Sequence, residues 1–275
     1  MTTHLTSLRL TQGIDIPGLN YARIVRSEWT KLRSLRSTGY ALLAAVVMLI
    51  AFAIIDCASI VSNWASLSAK EKATFDPLLA SLRGVDGAQL AIGVLGVLVI
   101  TGEYTTGMIR STFTAVPKRL PALWAKATVF AAVGLALTVP AVLIAFFASQ
   151  PILDGPHISI AFSHPGVPRA VIGAALYITV LGLFALGLGA LIRNTAGAIA
   201  ALVATIFVLP ALVNALPPSL QDTIAPYLPT SAGNAITSIH PAAHSLAPWT
   251  GLGVLCAYAA ASLIGAALLL RHRDV

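Results

Sequence analysis

The sequence predicts an all-α integral membrane protein with six transmembrane helices, both termini in the cytoplasm, and an amphipathic interfacial helix before the first span. Of its 275 residues, 57% are hydrophobic and only 10% are charged, whereas about 25% of residues are charged in soluble domains. The mean hydropathy is +0.86. The apolar residues also form six segments close to the roughly 20 residues that cross a bilayer.

The first two regions precede the membrane domain. Residues 1–20 lack apolar periodicity and contain Gly13, Pro17 and Gly18, so we expect a flexible cytoplasmic lead. Residues 21–38 predict the interfacial helix. At 100° per residue, one stripe collects Tyr21, Ile24, Val25, Trp29, Leu32 and Leu35, and Arg23, Arg26 and Arg33 lie opposite. Trp29 suits the headgroup region, and Lys31 and Arg33 suit anionic lipid phosphates.

Glu28 is the exception in this helix, because the same projection places it inside the apolar stripe. A carboxylate there is costly unless it is paired or faces protein. It is therefore either bonded to a basic neighbour such as Lys31 or used at an interface with another polypeptide.

Residues 39–275 are predicted to form the six-helix transmembrane domain. The apolar segments are approximately Gly39–Ile60, Leu78–Ile100, Ala125–Ser149, Ala170–Ile192, Ala196–Leu216 and Thr250–Leu270. The second has the shortest uninterrupted apolar core, and Arg83 and Asp86 just upstream are expected at the outer headgroup level, paired with each other. Pro140 and Pro210 are expected to kink the third and fifth segments.

The Lys and Arg distribution sets the orientation. Thirteen of the 17 Lys and Arg residues lie in the N-terminal region, the Gly102–Lys126 segment, the Arg193 turn and the C-terminal tail. By the positive-inside rule these regions are cytoplasmic.

Of the outer loops, Val61–Pro77 predicts a short surface helix. The last loop, Pro217–Trp249, is rich in Pro and has no Lys or Arg, so a segment dipping partway into the membrane stays open.

Several kinds of chemistry are missing from the sequence. It has no GxxxxGK[ST] loop, no HExxH and no GxSxG, so no cofactor, no metal site and no catalytic residue is predicted on this chain, and the protein is not expected to be an enzyme. His240 and His244 lie four apart, but Pro241 makes a continuous helix doubtful. Cys57 and Cys256 are expected to be apolar fillers. The spans hold almost no ionisable side chains, which argues against ion-coupled transport.

The segment Gly102–Lys126 between the second and third spans carries the densest polar chemistry of the chain. Thr105 or Thr106 is expected to cap a short cytoplasmic helix, at about 105–117, whose first turn starts at Gly107. Its apolar face holds Met108, Ile109 and Phe113, Arg110 projects separately, and Pro117 ends or bends the helix. An ordinary positive-inside loop would need the basic residues but not the apolar face, so we favour a docking helix.

These residues resemble the membrane subunits (permeases) of ATP-binding cassette (ABC) transporters of the type-2 export class. Members carry an amphipathic N-terminal helix, six spans, and an ordered pattern between the second and third spans that is matched here by Glu103, Gly107, Arg110, Pro117, Arg119 and Lys126. The stretches SEWTKLRSLRS (27–37) and YLPTSAGNAI (227–236) are similar to actinobacterial members.

The resemblance implies a multi-pass protein of a bacterial plasma membrane that works with a second permease copy or homologue and two separate ABC ATPase subunits. ATP and Mg would be bound by those subunits, the lipid bilayer is the other partner, and no nucleic acid is expected. The 107–117 helix would couple ATPase closure to the spans, and Glu103 and Arg110 would pair with each other or with the surface helix at Glu28.

The leading hypothesis is therefore ATP-driven export of a hydrophobic or amphipathic compound, such as a drug, peptide or lipid, because the spans lack charges. The alternative is a membrane anchor or assembly factor that recruits a cytoplasmic partner without transport. An intramembrane enzyme would need convergent polar residues, and Asn214, Thr138 and Tyr177 are too sparse for one.

Overall fold

The fold is all-α. The computed structural model describes residues 20–34, 36–108, 120–240 and 244–272, without the side chains of 36–38 and 272. Of the residues that the structure describes, 85% are helical and none lies in a strand. The helices are Tyr21–Ser34, Arg36–Asn63, Ala69–Ala73, Pro77–Ser81, Gly84–Thr105, Leu120–Asp154, Val167–Ile192, Thr195–Val203, Leu209–Asn214, Pro218–Ile224, Pro229–Asn234 and Pro248–His272, with a π-helical stretch at Ala204–Val208 and 3₁₀ turns at Trp64–Ser66, Ala225–Tyr227 and Ala235–Thr237.

In the part of the chain that the structure describes, six helical stretches are long and apolar enough to cross a membrane. Spans 1 to 6 are Gly39–Ser66, Gly84–Thr105, Leu120–Asp154, Val167–Ile192, Thr195–Asn214 and Pro248–Arg271. This confirms the predicted class, an all-α multi-pass membrane protein. Span 4 has the most buried residues and packs against spans 2, 3 and 6, so it forms the centre of the bundle.

Glycines allow the closest helix contacts. A Cβ on Gly96 of span 2 would lie 2.3 Å from the carbonyl oxygen of Gly182 in span 4, closer than any side chain tolerates. Small residues at such crossings let two backbones approach and gain van der Waals contact in a bilayer. Gly253 of span 6 has nothing within 4 Å of the same position, so not every glycine marks an interface.

Span 2 begins and ends later than the apolar segment Leu78–Ile100. Asp76 caps a separate short helix, Pro77–Ser81, by accepting hydrogen bonds from the backbone N–H groups of Leu78 and Leu79 at 2.9 and 3.2 Å. The span itself starts at Gly84 and runs to Thr105. The N-terminal part of the predicted segment is therefore an outer connection, and the helix carries Glu103 at its other end.

The prolines in spans 3 and 5 have different effects. Pro140 lies within the unbroken helix Leu120–Asp154. In span 5, Ala204–Val208 is π-helical just before Pro210. Because proline lacks the N–H that would bond to the carbonyl four residues earlier, a wider turn at this point relieves the mismatch.

The Pro-rich outer segment Pro217–Trp249 enters the bundle. Its helix Pro229–Asn234 packs between spans 4 and 6, and a Cβ on Gly233 would lie 2.2 Å from the ring of Tyr177. Tyr177 is ten residues into span 4, which corresponds to about 15 Å along a helix. The backbone around Gly233 is thus covered by protein, the condition under which irregular backbone is tolerated inside a bundle.

The outer connections agree with several expectations. The short helix predicted in Val61–Pro77 is Ala69–Ala73, started by a capping box between Ser68 and Glu71. Arg83 lies 3.8 Å from Asp86, as expected, and also 3.8 Å from Asp56 of span 1. Cys57 and Cys256 are both free, the first buried and the second exposed.

Candidate functional site

The surface helix Tyr21–Ser34 packs against the start of span 3. It is amphipathic: Ile24 and Glu28 are buried, Ile24 packs on Ala125 and Val25, and the basic residues Arg23, Arg26 and Arg33 are exposed. Tyr21 bonds Thr128 through their hydroxyls at 3.0 Å. The structure places Trp29 at 47% exposure, so its indole faces outward rather than into the bundle.

Glu28 is the centre of an ion cluster with Lys31, Glu103 and Lys126. Lys31 Nζ lies 2.6 Å from Glu28 Oε1 and 3.2 Å from Glu103 Oε1. Lys126 Nζ lies 2.5 Å from Glu28 Oε2 and 2.9 Å from Glu103 Oε1. Of the two possibilities left open for Glu28, pairing with Lys31 is confirmed, and its second oxygen accepts a hydrogen bond from a lysine 98 residues away. Its use at an interface with another polypeptide stays a prediction.

The ion cluster is buried and electrically balanced. Glu28, Glu103 and Lys126 are 4%, 4% and 5% exposed, and two carboxylates face two ammonium groups. Charges removed from water at this depth persist only when they are paired. The cluster therefore depends on all four members, and removal of one leaves an uncompensated charge.

Lys31 shows the electrostatic balance directly. Burial lowers its pKa, but hydrogen bonds and Coulomb attraction to Glu28 and Glu103 outweigh that effect, so the pKa of Lys31 is raised above its ordinary value of 10.5. The ammonium form is the one that the cluster stabilises.

The cluster joins three elements at one end of the bundle. Glu28 belongs to the surface helix, Glu103 to the last turn of span 2, and Lys126 to the second turn of span 3. The hydrogen-bonded side chains of Glu103 and Lys126 therefore lie near the two ends of the connecting segment, residues 106–119. A displacement of that segment would act on spans 2 and 3 and on the surface helix together.

The described part of the connecting segment differs from the predicted cap. Thr105 is the last residue of span 2 and Thr106 is its C-cap, and both hydroxyls donate to the carbonyl of Gly102. Gly107 adopts φ +71°, the left-handed conformation in which glycine commonly ends a helix. The two threonines thus terminate span 2 rather than start the next helix, because their hydroxyls bond back to the span.

The remaining residues predicted for the docking helix fall largely outside the described part of the chain. Met108 is described and lines a cavity beside the ion cluster. The others, Ile109, Arg110, Phe113, Pro117 and Arg119, lie outside the described residues. The prediction of a coupling helix at 105–117 therefore stays a prediction.

A second contact connects this end of span 2 to the turn between spans 4 and 5. The guanidinium of Arg193 lies 5.6 Å from the ring centroid of Tyr104, the neighbour of Glu103. Asn194 caps span 5 by accepting a hydrogen bond from the backbone N–H of Gly197 at 2.8 Å. This turn is short, but Arg193 links it to the same helix end as the ion cluster.

No candidate metal site competes with this cluster in the described ranges. There, no group of three or more His, Cys, Asp or Glu side chains is arranged to hold a metal ion. His244 lies 4.0 Å from Asp222 on the outer side and is largely exposed.

Comparison with protein-family models and with curated proteins finds no match for this chain.

Sequence reasoning missed the central role of Lys126. It placed Lys126 in the family pattern without a partner, and it did not connect Arg193 with Tyr104. One signal was available. A lone charge is costly at each of three positions, which are Glu28 in the apolar stripe, Glu103 and Lys126. Pairing these residues with one another removes that cost. The separation of 98 residues hid it from local patterns.

Proposed function

We propose that this chain is the transmembrane subunit of an ATP-driven ABC exporter of the type-2 class, located in a bacterial plasma membrane and moving a hydrophobic or amphipathic compound. The energy comes from two separate ATPase subunits that dock on the Gly102–Lys126 segment, and a second permease copy or homologue completes the assembly. The observation that supports this proposal best is the ion cluster, which lies at the two ends of the Gly102–Lys126 segment.

The cluster suits the transmission of force. A push on a loop moves the spans only if the ends of the loop are held rigidly to them. Here Glu103 and Lys126 bond to each other at 2.9 Å across those ends, and both are tied to the surface helix through Glu28 or Lys31. Packed ion pairs have discrete arrangements rather than continuous ones, which favours concerted displacement of the three elements.

The distribution of charge supports an apolar cargo and an external energy source. The Asp, Glu, Lys and Arg side chains of the described spans lie toward the span ends: Glu103 and Lys126 belong to the ion cluster, and Asp56 is level with Arg83, which directly precedes span 2. Proton- and ion-coupled carriers need such groups near the bilayer midplane. The driving force is therefore expected to enter through the cytoplasmic surface.

The test is purification of the tagged chain from its native membranes. The proposal expects a retained ATPase subunit with a GxxxxGK[ST] loop, and loss of that subunit, or of its stimulated ATP hydrolysis, in Phe113→Asp. The matched control is Leu220→Asp, which places the same charge on an exposed apolar residue of the outer segment. If Phe113→Asp retains full stimulated ATP hydrolysis, the assignment of this segment as the docking site is contradicted. A retained partner without ATPase activity would instead favour the membrane anchor.

A further inference from the structure

A cavity of about 280 Å³ opens beside the ion cluster. Apolar residues of four helices line it, among them Leu32, Ala41, Leu95, Leu98, Val99 and Val129. All four residues of the ion cluster also line it. The volume is just below the roughly 300–1,000 Å³ of small-molecule pockets, so it suits a headgroup and part of a chain rather than a bulky compound.

The cavity is polar at one end and apolar at the other. Glu103 and Leu95 both belong to span 2, eight residues apart, which separates them by about 12 Å along the helix. The polar end therefore lies at the end of the span, and the apolar end lies deeper in the bundle. Leu98 in the wall is 42% exposed, so the cavity opens onto the apolar surface that lipid chains cover.

Glu103 lines the polar end, and one of its carboxylate oxygens has no donor among the described residues. The two lysine ammonium groups reach Glu28 Oε1, Glu28 Oε2 and Glu103 Oε1. Glu103 Oε2 is buried and accepts no hydrogen bond among the residues that the structure describes. A buried acceptor of this kind is costly unless a donor reaches it.

The charges of the cluster select the kind of donor. Because two carboxylates and two ammonium groups cancel, the net charge of the cluster selects neither anions nor cations, and the phosphate oxygens of a headgroup accept hydrogen bonds but cannot donate one to Glu103. A primary ammonium group supplies both a proton and a positive charge. A phosphate beside it would lie toward Lys31, whose side chain is 23% exposed.

We infer that this cavity binds one membrane phospholipid with a zwitterionic, primary-ammonium headgroup. The ammonium donates to Glu103 Oε2, and one acyl chain lies along Leu95, Leu98 and Val99. The lipid fills the gap between the surface helix and spans 1 to 3. This site does not depend on the proposed transport function, because it needs no ATPase partner.

Two dioleoyl lipids separate this headgroup chemistry from general lipid binding. Phosphatidylethanolamine carries a primary ammonium, whereas phosphatidylcholine has the same chains and charge but no N–H donor. The delipidated, purified chain is titrated with each lipid, and bound lipid is counted by native mass spectrometry. We expect one retained phosphatidylethanolamine per chain and about tenfold weaker retention of phosphatidylcholine, since one charge-assisted hydrogen bond distinguishes them.

A cavity-filling variant locates the lipid. Val99→Trp narrows the apolar end while every residue of the ion cluster is kept, and it is expected to abolish the selective binding. Ala41→Phe, on another helix of the lining, gives the same readout if Val99→Trp folds poorly. Ile264→Trp, on an exposed apolar face of span 6, is the matched control and keeps the binding. Equal retention of both lipids, preference for dioleoylphosphatidylglycerol, or unchanged selectivity in both cavity variants overturns the inference.

Discussion

The ammonium nitrogen of Lys126 lies 2.5 Å from Oε2 of Glu28, and the two residues are 98 positions apart in the chain. This contact attaches the surface helix to the N-terminal end of span 3. The surface helix otherwise holds this position through a small apolar patch around Ile24 and Ala125 and through the Tyr21 to Thr128 hydrogen bond. The ion pair adds a specific contact to this small patch, and breaking it leaves buried charges unpaired.

Lys126→Met is expected to destabilise the protein by about 3–5 kcal/mol, because it leaves the carboxylates of Glu28 and Glu103 buried with only one partner. The measurement is the free energy of unfolding in a denaturant titration in detergent micelles. Lys70→Met, at an exposed lysine of the outer loop, is the control and should change stability by at most about 0.5 kcal/mol. Equal losses in the two variants would contradict the importance of the cluster.

The raised pKa of Lys31 predicts that the protein loses stability at alkaline pH. Its folded pKa is raised above 10.5, so its stabilising contribution is fully present below pH 10.5 and is lost as the pH rises through the folded pKa. The melting temperature of the wild type is therefore expected to exceed that of Lys31→Met near neutral pH, and the gap should close at high pH. A gap that stays constant across a titration from about pH 8 to pH 12 would contradict this linkage.

The sequence was sufficient for the class and the span number because both depend on local composition. The surface helix followed from its periodicity, and the anomaly of Glu28 was visible there. The start of span 2 was placed too early, because Leu78 and its neighbours are as apolar as the span and only the turn at Leu82 and Arg83 separates them. The partner of Glu28 and the contact of Gly233 with Tyr177 depend on tertiary packing, which no pattern within one segment encodes.

Gly96→Ala is expected to weaken the contact between spans 2 and 4. The added methyl group would meet the backbone carbonyl of Gly182 at 2.3 Å, and backbone cannot rotate away, so the helices must separate. Overpacking of this kind costs about 1–3 kcal/mol. The comparison is with Gly253→Ala in span 6, where the space is open.

The two glycine variants should differ in sign. Alanine is the better helix former by about 1 kcal/mol, so Gly253→Ala should leave the melting temperature unchanged or raise it, whereas Gly96→Ala lowers it. If both variants raise the melting temperature, spans 2 and 4 do not meet at this crossing.

A fully apolar cluster should be more stable than a broken one. Replacing Glu28, Lys31, Glu103 and Lys126 together by Leu or Met removes every buried charge, and such replacements are often neutral or stabilising by 1–4 kcal/mol. The quadruple variant is therefore expected to unfold at a higher denaturant concentration than Lys126→Met alone, despite carrying three more substitutions. This outcome would show that the loss of stability in Lys126→Met comes from the buried carboxylates that are left without a partner. A quadruple variant less stable than the single one would show instead that the ion pairs themselves hold the surface helix in place.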